Sequence, residues 1–301
     1  MRFGIDLGGT KIEIVALDEA NQICLRERVA TPRNDYCATV SAIVGLVNEA
    51  EKKLGVFARV GVGIPGAVSS KTGRIKNANS TWLIGEDLQS DLARALARPV
   101  RLANDANCFA LSEAAQGAAM GARTVFGVII GTGCGGGLVV DGQILNGVNA
   151  IAGEWGHNPL PWQKAGEYQQ ACYCGQSNCV ETFLSGPGMA KRFAYSSGRV
   201  LSAHELVLAM RAGDDQAIAF MQRYYDWLAQ GLASVINLFD PDVIVLGGGL
   251  SQVEELYTQV PKRWQQWVFS DEVVTQLKPP KFGDSSGVIG AAWLWGAAKN
   301  V

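Results

Sequence analysis

The stretch Phe3–Leu17, FGIDLGGTKIEIVAL, contains two apolar runs separated by the glycine-rich turn DLGGT. The runs Phe3–Leu7 and Ile12–Leu17 predict two strands joined by a short turn, and Ile23–Val29 predicts a third strand. Glycine permits a positive φ angle and lets backbone N–H groups approach phosphate oxygens closely. We therefore interpret the turn either as a phosphate-binding loop or as an ordinary β-hairpin.

A second stretch repeats this pattern in the middle of the chain. The strand that begins at Thr124 runs into GTGCGG, Gly131–Gly136, and the chain continues as the strand GGLVVDG. The string matches the dinucleotide-binding pattern G-x-G-x-x-G, and Glu154 follows it at about the number of residues expected of a ribose-binding acid. A true dinucleotide-binding pattern, however, must lie at the start of a helix. Because a strand follows it, we interpret the string as a second phosphate hairpin and reject a nicotinamide-dependent dehydrogenase.

The remaining apolar runs alternate between helical and extended patterns. A third glycine loop, LGGGLSQ, Leu246–Gln252, follows a strand and precedes a predicted helix, which suits either an adenosine contact at a helix N-terminus or a tight turn. The other predicted elements are helices over residues 36–55, 104–121 and about 215–238, and strands Arg59–Ile64, Val100–Ala103 and Asp242–Leu246.

Two lobes that each begin with a strand and a glycine-rich hairpin suggest an internal duplication. This arrangement resembles the α/β, ribonuclease H-like fold of actin-like ATPases, in which two lobes surround a central cleft. We expect a small lobe of residues 1–120 together with the C-terminal helix at about 288–301, and a large lobe of residues 121–287. The final helix is expected over GVIGAAWLWGAA, residues 287–298.

Composition limits the classes of function. The formal net charge is −2 and no basic run occurs, which argues against nucleic acid as the main partner. No stretch approaches the roughly 18 apolar residues that a membrane helix needs. The N-terminus has no apolar run of signal-peptide length, so the protein is expected to be cytoplasmic, where a cluster of cysteines indicates metal binding or catalysis more often than disulfides.

The stretch RLANDANC places Asn104 and Asp105 between a predicted strand and a predicted helix. A carboxylate at this point is stabilised by the free N–H groups and the dipole of the helix, so a simple N-cap would explain it. The chemical alternative is a general base that orients a sugar hydroxyl and accepts its proton during phosphoryl transfer.

Three of the seven cysteines fall within CYCGQSNC, Cys172–Cys179, and one of the two histidines, His157, precedes them by fifteen residues. His157, Cys172, Cys174 and Cys179 form a Cys3His set, which suits tetrahedral zinc. A zinc ion with four protein ligands has no open position for water, so the metal would be structural. His204 is expected to be an ordinary helix residue.

The motifs together are similar to those of the ROK family of bacterial repressors and sugar kinases. DLGGTK, GIPGAV, NDAN, GTGCGGG, GEWGH, CYCGQSNCVE and LGGGLS occur in the family's order, from Arg2 to about Trp295. The resemblance implies an ATP-dependent hexose kinase that uses magnesium and carries structural zinc. NANSTW and GEWGHNPLPW resemble most the family's fructokinases, with N-acetylglucosamine kinases and glucokinases next.

The resemblance also implies roles for individual residues. Asp105 matches the catalytic base, which also contacts the sugar. The other sugar-binding positions are Asn104, Glu154, His157 and Glu181, and Gly66 and Asn79 would add further contacts to the sugar. One ring nitrogen of His157 would bind zinc while the other faces a sugar hydroxyl. Asp6 would hold magnesium through water. The nucleotide-binding positions are Gly4, Asp6, Gly8, Gly9, Thr10, Lys11, Gly131, Thr132, Gly133, Gly135, Gly136, Gly137, Gly247, Gly248 and Gly249.

One position departs from the family pattern C-x-C-G-x-x-G-C, because Asn178 stands where the second glycine is usual. Asparagine adopts the left-handed conformation more readily than other non-glycine residues, so the turn is expected to survive. The substitution bears on how tightly zinc is held.

Fructose is the favoured substrate at this stage, with fructose 6-phosphate as product. The polar edge Asn79–Thr81 beside Trp82 is expected to present hydroxyl partners and an aromatic face to a sugar ring, with no pocket for an acetamido methyl group. A ROK repressor is disfavoured because the first glycine loop begins at residue 6 and leaves no room for a helix-turn-helix ahead of it. An actin-like assembly protein would not need the Asn104–Asp105 and zinc sets. The family resemblance suggests a homodimer.

Overall fold

The computed structural model describes residues 1–164 and 166–296, with the backbone alone at position 284. The strands are β1 (Arg2–Leu7), β2 (Lys11–Leu17), β3 (Ile23–Ala30), β4 (Arg59–Ile64), β5 (Ala67–Val68), β6 (Ile75–Lys76), β7 (Val100–Asn104), β8 (Thr124–Ile130), β9 (Cys134–Val140), β10 (Gln143–Ile144), β11 (Val243–Gly247) and β12 (Gln276–Lys278). The α-helices are α1 (Tyr36–Leu54), α2 (Leu88–Ala95), α3 (Asp105–Ala115), α4 (Val180–Leu184), α5 (Gly186–Ser197), α6 (Ala203–Arg211), α7 (Asp215–Phe239), α8 (Leu256–Gln259), α9 (Pro261–Trp264) and α10 (Ser286–Trp293).

Contacts divide the chain into two compact units. One contains residues 1–121, 137–152 and the C-terminal segment from Lys281, and the other contains residues 122–136 and 153–280. The sequence-based division instead assigned residues 137–152 and 281–287 to the second lobe. Residues 137–152 group with the first unit because Gly137 lies against the backbone of Ala106 and Asn107 in α3.

The first unit is built on a five-stranded sheet of order β3-β2-β1-β4-β7, and the strands predicted there are confirmed. β1 is antiparallel to β2 and parallel to β4, which is parallel to β7. The register pairs Asp6 with Gly63 and Ile64 with Asn104. Because these strands are parallel, Asp6 and Asn104 lie near the same edge of the sheet, where the strands end.

Helix α10 packs directly on the backbones of β1 and β4. A Cβ atom at Gly4 would lie 2.1 Å from the carbonyl oxygen of Val288, and one at Gly61 would lie 2.0 Å from that of Ala291. These glycines therefore allow close helix–strand packing, and Gly4 lies inside a buried strand rather than in the loop. The helix is shorter than predicted, since the chain turns at Leu294–Gly296, and the predicted residues 297–298 lie outside the described ranges.

The predicted helix over residues 104–121 is also too long. Helix α3 ends at Ala115 because the backbone carbonyl of Glu113 accepts the N–H groups of Gly117 and Ala119 while its carboxylate accepts that of Ala118. This set of bonds turns the chain tightly at Gln116–Ala119. Glu113 is fully buried, so all three bonds form away from water.

The second sheet has the order β10-β9-β8-β11-β12, in which β11 is parallel to both β8 and β12. The predicted strand after the second glycine loop is confirmed as β9, and the predicted long helix is confirmed as α7. The third glycine loop, Leu246–Gln252, itself contains a 3₁₀ turn, Gly249–Gln252. The helix predicted to follow the loop begins after three intervening residues, as α8 at Leu256.

Among the described residues, none of the helices combines the length and the apolar character needed to cross a bilayer. The longest, α7, runs for 25 residues, but its sequence carries charged and amide side chains along one side. Its buried residues instead pack inside the second unit, with Phe220 and Trp227 in edge-to-face contact.

Candidate active site

The first glycine loop, Gly8–Lys11, is held by hydrogen bonds to its own backbone. The N–H of Gly8 donates to the carbonyl of Lys11, and the carbonyls of Gly8 and Gly9 accept from Thr31 Oγ1 and Arg33 Nε. Gly9, Thr10 and Lys11 are exposed. The loop is therefore a tight hairpin whose carbonyls are engaged and whose outer surface is open to a ligand.

Asp6 lies beneath this loop, at the end of β1. Burial raises the pKa of its carboxyl group to about 6, with further increases from the charges of Asp105 and Glu13, while Lys11 opposes the shift. A buried carboxylate next to another carboxylate is stabilised by a cation. A bound magnesium ion would supply such a cation, and Asp6 is the residue here that would hold it.

Asn104 and Asp105 stand where β7 meets α3. Asn104 caps the helix by accepting the N–H of Ala106 (2.9 Å), and its Nδ2 donates to the carbonyl of Gly66 (3.2 Å). One Asp105 oxygen accepts from the same N–H (2.8 Å), and the side chain is exposed. The N-cap interpretation therefore belongs to Asn104, and the Asp105 carboxylate is accessible to a substrate.

Gly66 and Asn79 are brought to the same edge. The N–H of Asn79 donates to the carbonyl of Pro65, and a Cβ at Gly66 would lie 2.8 Å from the carbonyl of Lys76. Four of the predicted sugar-binding residues, Gly66, Asn79, Asn104 and Asp105, thus cluster in the first unit.

Trp82 is less available to a ligand than predicted, because it is partly buried. Its indole packs against the core of the first unit, and its Nε1 donates to Thr39 Oγ1 (3.2 Å). Ser80, in the same predicted edge, is buried. Because the core covers part of the Trp82 ring and Ser80 is buried, the structure gives little support to the predicted NANSTW wall favouring an unsubstituted hexose.

The second and third glycine loops meet in the second unit. Gly131 and Thr132 from one loop and Gly249 and Leu250 from the other border a cavity of about 720 Å³. Its other wall comes from the beginning of α5 and from the length of α6 and includes Gly186, Pro187, Ala203, His204, Val207 and Arg211. A site of this volume, mostly apolar and bordered by bare backbone, is suited to a nucleotide.

The remaining predicted nucleotide glycines have several roles. Gly247 ends β11, and Gly248 adopts φ +79°, where a Cβ would lie 2.5 Å from the carbonyl oxygen of Ile130. Gly133 leaves room for the Glu181 carboxylate, which accepts the N–H of Cys134 (3.0 Å). Gly135 accepts the Trp155 indole N–H, and both Gly136 and Gly137 face backbone atoms closer than a Cβ allows.

The Cys3His set comes together as predicted. One ligand atom from each of His157, Cys172, Cys174 and Cys179 lies within 4.8 Å of all the others. His157 Nδ1 is 3.6 Å from Cys172 Sγ, and Cys174 Sγ is 3.6 Å from Cys179 Sγ. A tetrahedral ion with Zn–S bonds of about 2.3 Å holds its sulfur ligands roughly 3.8 Å apart, so the donor atoms fit zinc.

Without a metal, two of the three thiols resist ionisation, whereas the pKa of the exposed Cys174 is lowered by hydrogen bonds from its neighbours. Burial raises the pKa of Cys172, and it raises that of Cys179 to about 12, where its neighbours Cys174 and Cys172 add to the shift. Three thiols at this spacing cannot ionise together unless a positive charge lies among them. Zinc bound here would join His157 to the cysteine loop and would supply no open coordination position.

Asn178 adopts φ +56°, so the left-handed conformation predicted for it is confirmed. It is also buried and bonded. Its Oδ1 accepts from the Gln170 N–H (2.8 Å) and from Arg192 Nη2 (3.0 Å), and its Nδ2 donates to Gln163 Oε1 (2.9 Å). Where a glycine would only permit the turn, Asn178 ties the cysteine loop to helix α5.

Tyr173, which was not singled out from the sequence, contacts His157 and lies within range of the charges of Glu154 and Glu181. His157 Nε2 is 2.9 Å from the Tyr173 hydroxyl. The pKa of Tyr173 is raised to about 12, first by desolvation of its hydroxyl beside His157 and then by the charges of Glu181, Cys172 and Glu154. The three predicted sugar-binding residues of the second unit are therefore neighbours, and Tyr173 already contacts the nitrogen of His157 expected to face a sugar.

His204 was also undervalued. It lies in helix α6 as expected, but its side chain borders the cavity between the glycine loops. Its position just after the capping-box serine, Ser202, at the start of an amphipathic helix gave no sign of a ligand. The sequence offers a clearer indication for Tyr173. It lies between two candidate metal-ligand cysteines, so it must lie beside that site.

Comparison with known proteins agrees with this arrangement. The family model described as the ROK family matches residues 2–298. The chain belongs to the ROK family. It is similar to the N-acetyl-D-glucosamine kinase of Photobacterium profundum, with 41% identity over 299 residues that cover 98% of this chain and 99% of the relative.

Two solved ROK structures share the fold. The ROK hexokinase from Thermus thermophilus has a TM-score of 0.86 and 31% identity, with 97% of each chain covered. The ROK glucokinase from Streptomyces griseus, solved with glucose and AMPPNP, has a TM-score of 0.76 and 29% identity, covering 97% of this chain and 98% of that one. The predicted ROK family and actin-like ATPase fold are confirmed, and the protein is a ROK sugar kinase that uses ATP.

Proposed function

We propose that this ROK kinase transfers the γ-phosphoryl group of ATP to N-acetylglucosamine, with Asp105 as general base. The observation that carries the choice of sugar is the 41% identity, over 98% of the chain, to an N-acetyl-D-glucosamine kinase. A second relative of that name, from Yersinia pseudotuberculosis, is 40% identical over 99% of the chain. The fructose preference drawn from the sequence is not shown, and the relatives favour the alternative.

The surroundings of Asp105 support its proposed role as the base. Asn104 is fixed by bonds to Ala106 and Gly66, so the neighbouring Asp105 carboxylate projects from a rigid helix start. Phosphoryl transfer depends mainly on positioning and charge stabilisation, and even a weak base suffices when it is held in place. Asp105 would accept the proton of the attacking hydroxyl, and Asp6 would hold magnesium at the phosphates.

The second unit would supply nucleotide and sugar contacts. The cavity beside Gly131, Thr132 and Gly249 would receive the adenosine moiety, because bare backbone N–H groups and apolar walls suit a base and its phosphates. Glu154, His157 and Glu181 would hydrogen-bond sugar hydroxyls. Zinc held by His157 and the cysteines would fix the imidazole ring and add no step to the reaction.

The sugar is identified by measuring ADP release with N-acetylglucosamine, fructose, mannose and glucose. We expect kcat/KM for N-acetylglucosamine to exceed that for fructose by about 10²-fold, because a site that pairs an acetamido group rejects sugars lacking it. The Asp105→Asn protein, purified in parallel, controls for a contaminating kinase from the host.

The result separates two functions. If fructose is used as well as or better than N-acetylglucosamine, the protein is a fructokinase, as the NANSTW and GEWGHNPLPW motifs suggested. If no sugar stimulates ADP release by the wild-type protein, the proposed kinase activity itself is overturned.

A further inference from the structure

The His157 ring uses both of its nitrogens. Nδ1 is 3.6 Å from Cys172 Sγ, on the side of the cysteine cluster, and Nε2 is 2.9 Å from the Tyr173 hydroxyl. The two rings meet edge to face, with centroids 5.0 Å apart and planes at 87°. When a metal takes Nδ1, the ring's one proton resides on Nε2, so the imidazole donates to the tyrosine oxygen.

Tyr173 differs from its neighbours in how it is held. Cys172 and Cys174 on either side are members of the ligand set, so the backbone of Tyr173 is fixed at both ends. Its side chain nevertheless is 77% exposed, and the bond to His157 is the side-chain hydrogen bond that the structure gives it. The ring can therefore rotate away from His157 without breaking buried packing.

We propose that the Tyr173 hydroxyl occupies the position of a substrate hydroxyl in the sugar-free protein and that sugar binding displaces it from His157. The inference rests on the proposed function, which assigns His157 to the sugar. The imidazole Nε2 carries one hydrogen, which forms one good hydrogen bond at a time. A phenol and a sugar hydroxyl are both neutral oxygen acceptors, so they compete for that hydrogen.

Competition predicts that removing the hydroxyl strengthens sugar binding. A net hydrogen bond within a protein corresponds to about a 2- to 10-fold change in an equilibrium constant. The Tyr173→Phe protein should therefore bind the preferred sugar about 2- to 10-fold more tightly, with KM lowered to match and kcat unchanged. A supporting role for Tyr173 predicts the opposite, since loss of support would raise KM.

The experiment measures the Kd of N-acetylglucosamine and of fructose by calorimetry without nucleotide, and KM and kcat with ATP. Tyr195→Phe is the matched control, because Tyr195 is 68% exposed and stacks on Tyr168 away from the cysteine cluster. Equal zinc content and equal Tm in all three proteins would assign the change in affinity to the hydroxyl alone. Weaker or unchanged sugar binding by Tyr173→Phe overturns the proposal.

A measurement on the wild-type protein covers the case in which the variant loses zinc. The chain has two histidines, so ¹⁵N NMR of the imidazoles gives few signals, and a His204→Gln protein assigns them. The Nε2 resonance of His157 should shift as the sugar saturates the protein, because its hydrogen changes partner. An unmoved resonance at saturation overturns the proposal, whereas absence of binding by any sugar overturns the proposed function instead.

Discussion

The Asp105 edge of the first unit and the zinc loop of the second, residues 154–181, present their candidate site residues in different ways. At the Asp105 edge, paired strands and a helix N-terminus fix the backbone, and the register sets Asn104 opposite Ile64. The described residues of the zinc loop, 154–164 and 166–181, form one 3₁₀ turn, Trp155–His157, and two isolated bridges, Pro159–Cys179 and Ala171–Ser177, before α4.

The zinc loop compensates with side chains. The Cys3His set joins its two ends, and Asn178 bonds to Gln163, Gln170 and Arg192. Where backbone pairing positions a site residue, changing the side chain should alter chemistry and spare the fold. Where side chains do the positioning, the same kind of change should alter folding and binding together.

The largest expected effect tests the first half of this comparison. Asp105→Asn should lower kcat by at least about 10²-fold, which is the usual contribution of a positioned base, while sugar affinity and Tm stay near those of the wild type. Steady-state kinetics and thermal unfolding of the two proteins provide the measurement. Near-full kcat in the folded variant would end the assignment of Asp105 as the base.

Cys174→Ser tests the second half. We expect loss of zinc, roughly a tenfold rise in KM for the sugar and a Tm lower by at least about 5 °C, because ligation contributes to local folding. Metal analysis, kinetics and calorimetry are compared with Cys37→Ser, which alters an exposed cysteine outside the ligand set. A wild-type protein free of zinc without exposure to chelator would refute the site.

Asn178 sharpens the comparison by separating backbone strain from side-chain bonding. Asn178→Gly keeps φ +56° without strain but leaves the Gln170 N–H and the Arg192 guanidinium short of a partner, which should cost about 2–3 kcal/mol of unfolding free energy. Asn178→Ala adds about 1–2 kcal/mol for the left-handed conformation. Urea unfolding of the zinc-loaded proteins should therefore give the highest unfolding free energy for the wild type, a lower one for Asn178→Gly and the lowest for Asn178→Ala. An Asn178→Gly protein as stable as the wild type would contradict this.

The smallest effect concerns charge at the Asp105 edge. Because burial raises the pKa of Asp6 from 3.8 to about 6, ionising Asp6 costs folding free energy, and stability falls as the pH rises through this interval. Asp6→Asn removes the cost, so without nucleotide its Tm should exceed the wild-type Tm by a few degrees, about 2–6 °C, above pH 6. The advantage should shrink toward pH 4. A difference in Tm that stays constant between pH 4 and pH 6 would show that the pKa of Asp6 is not raised.

Much of the first unit could be predicted from sequence. Apolar runs alternating with glycine turns marked β1, β2, β3 and β4 to within a residue, since strand patterns are local and depend on which side chains can be buried. The Cys3His set was also predictable, because thiolate and imidazole ligands at this spacing have few other uses in a reduced protein.

Other features depended on contacts between residues distant in the chain. The orientation of Trp82 depended on Thr39 in α1, and the packing role of Gly4 depended on α10, near the other end of the chain. The third glycine loop itself contains the 3₁₀ turn Gly249–Gln252, which its local pattern did not distinguish from the start of an α-helix. Propensity is a weak prior at such sites, and tertiary packing overrides it.

By itself, the sequence determined the family, the strand-and-loop pattern, the Asn104–Asp105 pair and the four candidate metal ligands, because each depends on residue type at short spacing. Tertiary structure alone decided that Asn178 anchors the zinc loop, that His204 borders the cavity between the glycine loops and that Tyr173 contacts His157. The reason is physical. A hydrogen bond depends on two atoms meeting within about 3 Å, and a single residue's identity does not state where the chain will bring its partner.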